Sequence, residues 1–147
     1  MLQKLKTLFQ KYREPLLYLI FGGLTTLVDW VVSFLLYGVW DAAIDANVFL
    51  IHGANVIAWV AAVLFAFVTN RIWVFQSRQH GAVAILGELL TFAGGRVMTL
   101  LLQEGIFFVF VDLLAWNQYA VKIAAAVLVV ILNYVISKLL VFRKVEK

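Results

Sequence analysis

Asp29, Arg96, Glu104 and Lys122 are ionisable residues set inside long apolar runs of this 147-residue chain. A charge at the centre of a bilayer costs at least about 2.5–3.5 kcal/mol, so an intramembrane charge marks a functional path by default, with a satisfied ion pair as the structural alternative. Counting along the helical rise puts Asp29 and Arg96 near the middle of their runs, and Glu104 and Lys122 nearer the outer face. Opposite charges at similar depth predict two pairs, Asp29 with Arg96 and Glu104 with Lys122. Asn55, Asn70 and Asn133 would be costly against hydrocarbon and are expected to turn inward. Thr25, Thr26, Ser33 and Thr99 can bond their own helix's carbonyls. Arg71, with Trp73 and Phe75, reads first as a headgroup-level anchor, as do Lys138 and Phe142. His52 falls at the outer interface.

Catalytic chemistry has little to draw on. The chain has no cysteine, two histidines and eight acids, and the acids are mostly far apart, which leaves no thiolate site, no disulfide framework and little for a zinc site or a hydrolase triad. No catalytic residue, metal or cofactor is expected, and the chain does not read as an enzyme.

The elements that must carry these residues follow from composition. Apolar residues make up 65% of the chain and charged ones 14%, with mean hydropathy +0.99, against about 45–50% and 25% in soluble domains. A chain this short cannot bury so much apolar surface in one core, so the remaining apolar solvent is lipid. A span needs about 20 mainly apolar residues. Four runs qualify: Leu16 to Trp40, Val48 to Trp73, Ile85 to Ala115 and Tyr119 to Val141. They are continuous rather than alternating, which fits helices and not a β-barrel. The third is long enough to tilt or to begin as an interfacial helix over 81–88.

Ahead of the first span, Leu2, Leu5, Leu8, Phe9 and Tyr12 recur at helical spacing among Lys4, Lys6, Lys11 and Arg13. This predicts a short amphipathic helix over residues 1–15 lying on an anionic membrane surface, with Pro15 as the first residue of the next helix. The first span exceeds a signal-peptide core and carries Asp29, so it is read as retained. The transmembrane domain is then residues 16–147.

Basic residues set the orientation. Apart from Arg96 and Lys122, they sit in the N-terminal arm, around the middle loop (Arg71, Arg78) and at the C-terminal end (Lys138, Arg143, Lys144, Lys147). The connections Asp41 to Asn47 and Trp116 to Gln118 carry none. The positive-inside rule puts both termini and the middle loop in the cytoplasm. The formal charge of +4 is thus a topology signal, and its spread along membrane edges makes a nucleic-acid face a poor alternative.

The two halves resemble each other. Without gaps, Asn70-Arg71-Ile72-Trp73-Val74-Phe75 falls opposite Ser137-Lys138-Leu139-Leu140-Val141-Phe142, and Ala54-Asn55-Val56-Ile57 opposite Val121-Lys122-Ile123-Ala124; the first and third spans match less well, through Phe21-Gly22-Gly23 opposite Ala93-Gly94-Gly95. Each half reads as a helical hairpin, repeat 1 over about 16–78 and repeat 2 over about 85–145, related as a parallel repeat. The glycine pairs read as close helix approach. The predicted fold is an all-α integral membrane protein of four transmembrane helices, two parallel-repeat hairpins behind an amphipathic interfacial helix.

Phe21-Gly22-Gly23 with Asp29, the exit from Phe67 to Phe75, Arg96, and Lys122 with Asn133-Tyr134 and Lys138 to Phe142 together resemble the GtrA-like family of small four-span membrane proteins. Ala66 departs from the repeat pattern opposite Asn133, and Leu140 opposite Trp73. The resemblance implies a role in bacterial cell-envelope polysaccharide glycosylation: flipping a polyprenyl-phosphate-linked sugar, such as one on undecaprenyl phosphate, across the cytoplasmic membrane. Arg96 and Lys122 would then meet the phosphate, with Asp29 and Glu104 as counter-ions or sugar-hydroxyl acceptors and Asn133, Asn70, Arg71 and Asn55 lining the path. The implied partners are the lipid-linked sugar, membrane lipids and membrane glycosyltransferases. Four helices enclose little polar space, so a homo-oligomer is expected, a dimer with both subunits in one orientation. Two readings compete with this one. A small-multidrug-type proton-coupled exporter would use Asp29, but Arg96 and Lys122 repel a cationic drug. A non-transporting accessory subunit of a glycosyltransferase would use the charges to key helix partners.

Overall fold

The computed structural model of the chain describes residues 2–44 and 49–142, with side chains over 10–39, 50, 52–118 and 120–142. The described backbone is helical and contains no strand. Backbone amides and carbonyls in hydrocarbon must be satisfied within the segment, and an unbroken apolar run meets that requirement as a helix. Among the described residues four helices are long and apolar enough to cross a membrane: Gln10–Val39, His52–Val74, Ala82–Leu113 and Ala120–Val141. They match the four predicted runs.

The chain forms two compact units, Met1–Gln76 and Ser77–Lys147. In the first, α1 (Leu2–Ile44) packs on α2 (Phe49–Thr69). In the second, α3 (Ala82–Phe107) packs on α4 (Gln118–Ile136).

The structure corrects the expected break at Pro15. Helix α1 runs through it, with Pro15 inside rather than at a helix start. An interior proline costs about 3 kcal/mol through its missing N–H and its clash with the carbonyl four residues back. Good helix formers flank it on both sides, and Arg13 is tied to the far end of α2: its Nη2 donates to the Trp73 carbonyl at 3.2 Å. With the Gln76 amide oxygen turned toward it, Arg13 also donates from Nη1 and Nη2 at 3.0 and 2.9 Å. The segment before Pro15 is thereby held in line. Most side chains of the amphipathic arm, those of Asp41 and Asp45, and the C-terminal Arg143, Lys144 and Lys147 lie outside those described. The third span is also continuous from Ala82, with no separate interfacial helix.

Three helix ends widen into π-helical turns, Asn70–Val74, Phe108–Leu113 and Ser137–Val141. The first and third fall at the positions that the gapless alignment sets opposite each other, and each is closed by the same bond: Phe75 N–H to the Asn70 carbonyl and Phe142 N–H to the Ser137 carbonyl, both 2.9 Å. After the first, Gln76 takes φ 50° and turns the chain out of the helix. Gly81, at φ 98°, precedes α3 with a backbone that side chains rarely adopt. Helix α4 starts on Asn117, whose Oδ1 accepts the Ala120 N–H at 3.2 Å, an N-cap bond.

Candidate functional site

In the second unit a polar row runs along one face of α3. Glu88, Phe92, Arg96 and Thr99 are spaced by four, four and three, which stacks them on one side of a helix. Glu88, Phe92 and Thr99 are buried and Arg96 is half-buried. The Arg96 guanidinium lies over the Phe92 ring, 5.1 Å from its centroid, and Phe92 itself packs against Phe142 at 6.0 Å. A cation over a ring face is attracted by the ring quadrupole, worth about 0.5–2 kcal/mol depending on desolvation. That contact orients the guanidinium while leaving its N–H donors unspent among the described residues. Among the described residues of its unit Arg96 has no carboxylate partner.

One turn further on, Thr99 Oγ1 donates to Asn133 Oδ1 of α4 at 2.9 Å and also lies 3.1 Å from the Gly95 and Arg96 carbonyls. Asn133 and Ser137 are buried beside it on the α4 side. Lys138 and Tyr134 pair on the exposed side, with Lys138 Nζ donating to the Tyr134 hydroxyl at 3.2 Å. At the start of α3, Ser77 Oγ donates to Glu88 Oε1 and accepts from the Gln79 N–H at 3.4 Å. An apolar recess of about 460 Å³ opens at the other end of this unit, between the π turn and α4, walled by Ile106, Phe110, Trp116, Ala120 and Ala124.

Glu104 and Lys122 are both exposed and form no ion pair with each other, so the expected link between them is absent. Side chains on the outer faces of two packed helices do not meet, and matching depth alone does not bring them together. Asp29, half-buried on α1, belongs to the first unit and Arg96 to the second.

In the first unit the end of α2 carries the polar groups. Asn70 is 1% exposed; its Nδ2 donates to the Ala66 carbonyl at 2.6 Å, while Oδ1 has no donor. Thr69 Oγ1 bonds the Phe65 and Ala66 carbonyls at 2.8 and 3.1 Å. Around this end Phe21 stacks on Trp73 at 5.5 Å, and Tyr18 meets Phe75 at 6.2 Å. Arg71 is half-buried on the same π turn. Asn70 and Asn133 turn inward as expected. Asn55 does not: it is exposed, and its Oδ1 accepts from the Tyr37 hydroxyl of α1. The bond to a neighbouring phenol holds this amide outside the helix seam and fills one of its lone pairs. Thr25 and Thr26 bond the Phe21 and Gly22 carbonyls of their own helix at 2.8 and 3.3 Å, as expected.

Sequence reasoning missed Glu88, Ser77 and the Tyr37 to Asn55 bond. For Glu88 a signal existed: it shares the helical face of Arg96, two turns earlier. For Ser77 and Tyr37 there was none, since both depend on where a second segment lies. Among the described residues no three His, Cys, Asp or Glu side chains gather as metal ligands would.

Residues 17–142 match the family described as GtrA/DPMS, transmembrane domain. The uncharacterized membrane protein YwcD of Bacillus subtilis is 34% identical over 131 residues, 89% of this chain and 98% of YwcD. The cell wall teichoic acid glycosylation protein GtcA of Listeria monocytogenes serovar 1/2a is 35% identical over 146 residues, 97% of this chain and 93% of its own. The GtcA of Listeria innocua serovar 6a is 36% identical over 145 residues, 97% and 94%. No solved structure matches.

Proposed function

The chain belongs to the GtrA/DPMS transmembrane-domain family, a multi-pass membrane protein by its four apolar helices, and from this we propose that it serves cell-wall glycosylation by flipping a polyprenyl-phosphate-linked sugar across the bacterial cytoplasmic membrane. The coarser part rests on likeness, over 97% of the chain, to proteins named for cell wall teichoic acid glycosylation. The finer part rests on one observation: Arg96 sits at membrane depth, oriented by Phe92 and with its donors unspent.

A phosphodiester crossing hydrocarbon needs a cation that can form charge-assisted bonds, and a planar guanidinium offers several in a fixed fork. The isoprenoid tail needs no such path and stays in lipid, with the apolar recess as a lodging of matching chemistry. Lys122, exposed on α4, would meet the headgroup nearer the outer face. Asp29, Glu104, Asn55, Asn70, Arg71 and Asn133 supply counter-charge and hydroxyl-binding groups along the way. Both termini face the cytoplasm, and two copies in one orientation complete the polar path. Membrane lipids and an extracytoplasmic glycosyltransferase are its partners.

The test is reconstitution in liposomes with undecaprenyl phosphate-linked glucose, scored by the sugar's exposure to a membrane-impermeant oxidant. Protein-dependent exposure that disappears in Arg96→Gln is expected. A folded protein that gives no more exposure than protein-free liposomes overturns the reading.

A further inference from the structure

The outer stretch of α2 carries Asn55, already named among the hydroxyl-binding groups, together with polar and aromatic groups given no role so far. His52, Asn55 and Trp59 are spaced by three and four, so they form one stripe on the helix. All three are exposed, Trp59 by 37%. From α1, Tyr37 reaches the stripe and donates its hydroxyl to Asn55 Oδ1, and its ring packs T-shaped with Phe34 at 6.2 Å between centroids.

Depth argues against a headgroup belt. Helix α2 begins at Phe49, so Asn55 lies about 9 Å and Trp59 about 15 Å along the helix from its start. Interfacial tryptophans sit at the headgroup level; Trp59 is too deep for that role. Asn55 is exposed at a depth where water no longer serves an amide. Its bond to Tyr37 satisfies one lone pair, and a carboxamide has two N–H donors and a further lone pair to fill. Among the described residues neither these nor the His52 ring nitrogens have a protein partner.

We infer that Tyr37, His52, Asn55 and Trp59 form a docking platform for the sugar end of the lipid-linked substrate, an inference that rests on the proposed function. The groups are uncharged hydrogen-bonding donors and acceptors beside an indole face, with no lysine or arginine among them, which suits vicinal hydroxyls and not a phosphate. The electron-rich ring face attracts the polarised C–H groups of a pyranose, and amide and imidazole each offer donors and acceptors to its hydroxyls. On the proposed topology the platform stands on the extracytoplasmic side, where a flipped sugar is handed on.

The experiment measures binding, not transport. Full-length protein in nanodiscs is titrated with bare undecaprenyl phosphate and with the same lipid bearing glucose, galactose or N-acetylglucosamine. At least one sugar should raise affinity over the bare lipid by about tenfold, the worth of two neutral hydrogen bonds. Asn55→Leu and Trp59→Leu, both at exposed positions, should lower that ratio toward one, and His52→Leu should lower it in part. Thermal midpoints in detergent identify any variant that fails to fold, and Tyr37→Phe gives a second, nearly isosteric loss. Arg96→Gln should weaken bare and sugar-bearing lipids together. Platform variants that keep the wild-type ratio, or a wild type that prefers none of the three sugars, overturn the inference, and dimer dissociation in Trp59→Leu with an unaltered ratio assigns the stripe to a second copy. Loss of flipping with the ratio intact sinks the transport reading and leaves the platform standing.

Discussion

Gly95 of α3 meets Ile136 of α4 so closely that a Cβ built on Gly95 would stand 2.9 Å from Ile136 Cγ2. Neither Gly22, Gly23 nor Gly94 has any such neighbour within 4 Å. The double glycines therefore differ in use, and close helix approach within a unit belongs to Gly95.

Gly95→Ala should lower the detergent unfolding midpoint, by about 1–3 kcal/mol in free energy, because Ile136 is branched at Cβ and cannot swing its methyl aside cheaply. Gly94→Ala should change little or raise helix stability slightly. The check is the pair Gly95→Ala with Ile136→Ala, which restores room for the new methyl. If the second substitution fails to recover any of the loss, the contact is not its cause.

The bond from Thr99 to Asn133 makes an unequal prediction for its two ends. Thr99 retains the Gly95 and Arg96 carbonyls when Asn133 is replaced, whereas Asn133, buried, is stranded when Thr99 goes. Thr99→Val should therefore cost more than Asn133→Leu, and the double variant should recover part of it. Interhelical hydrogen bonds in membranes average about 0.6 kcal/mol and rarely exceed about 1.7, so a thermal shift of a few degrees is the scale expected. Equal losses from both single variants would contradict the asymmetry.

The four spans were legible because lipid demands a long uninterrupted apolar run and the chain supplies four. What lies along them was legible only in part. Asn70 and Asn133 turn inward because an amide in hydrocarbon seeks a partner, and Asn55 escapes the rule because Tyr37 meets it at the surface. Pro15 was misplaced because local propensity counts the missing N–H and not the tie of Arg13 to Trp73, sixty positions away. The π turns left no local signature; a wide turn depends on an extra residue per turn being accommodated at a helix end, which apolar sequence does not reveal. Pairing Glu104 with Lys122 failed for a related reason, since depth is readable from spacing but the facing of two helices is set by their packing.

The charge bias of the flanks predicts cytoplasmic termini, and the absence of cysteine makes that directly measurable. Single cysteines at Asp45 and Lys147 should react oppositely with a membrane-impermeant maleimide. Asp45→Cys should label in intact cells and Lys147→Cys only after permeabilisation. Labelling of Lys147→Cys from outside would reverse the orientation and, with it, the side on which Lys122 stands.

The intramembrane charges give the sharpest test of the site. Breaking a buried ion pair by removing one member costs about 3–5 kcal/mol, and removing both largely restores the fold. Glu104 and Lys122 are not paired, so neither single neutralisation should leave a stranded charge. Arg96 is held by a ring contact worth no more than about 2 kcal/mol, so Arg96→Gln should preserve membrane abundance as well. If the guanidinium receives the phosphate, the double variant Asp29→Asn with Arg96→Gln should express normally yet lose envelope sugar modification, because a neutral amide cannot replace a charge-assisted bond in lipid. Arg96→Lys should retain a fraction, keeping the charge but not the fork. Glu104→Gln with Lys122→Gln should show a smaller loss, since Lys122 stands nearer the interface where water can share its role. Normal sugar modification in both double variants, measured on purified cell-wall polymer at matched abundance, would assign the charges a structural role and remove Arg96 from the path.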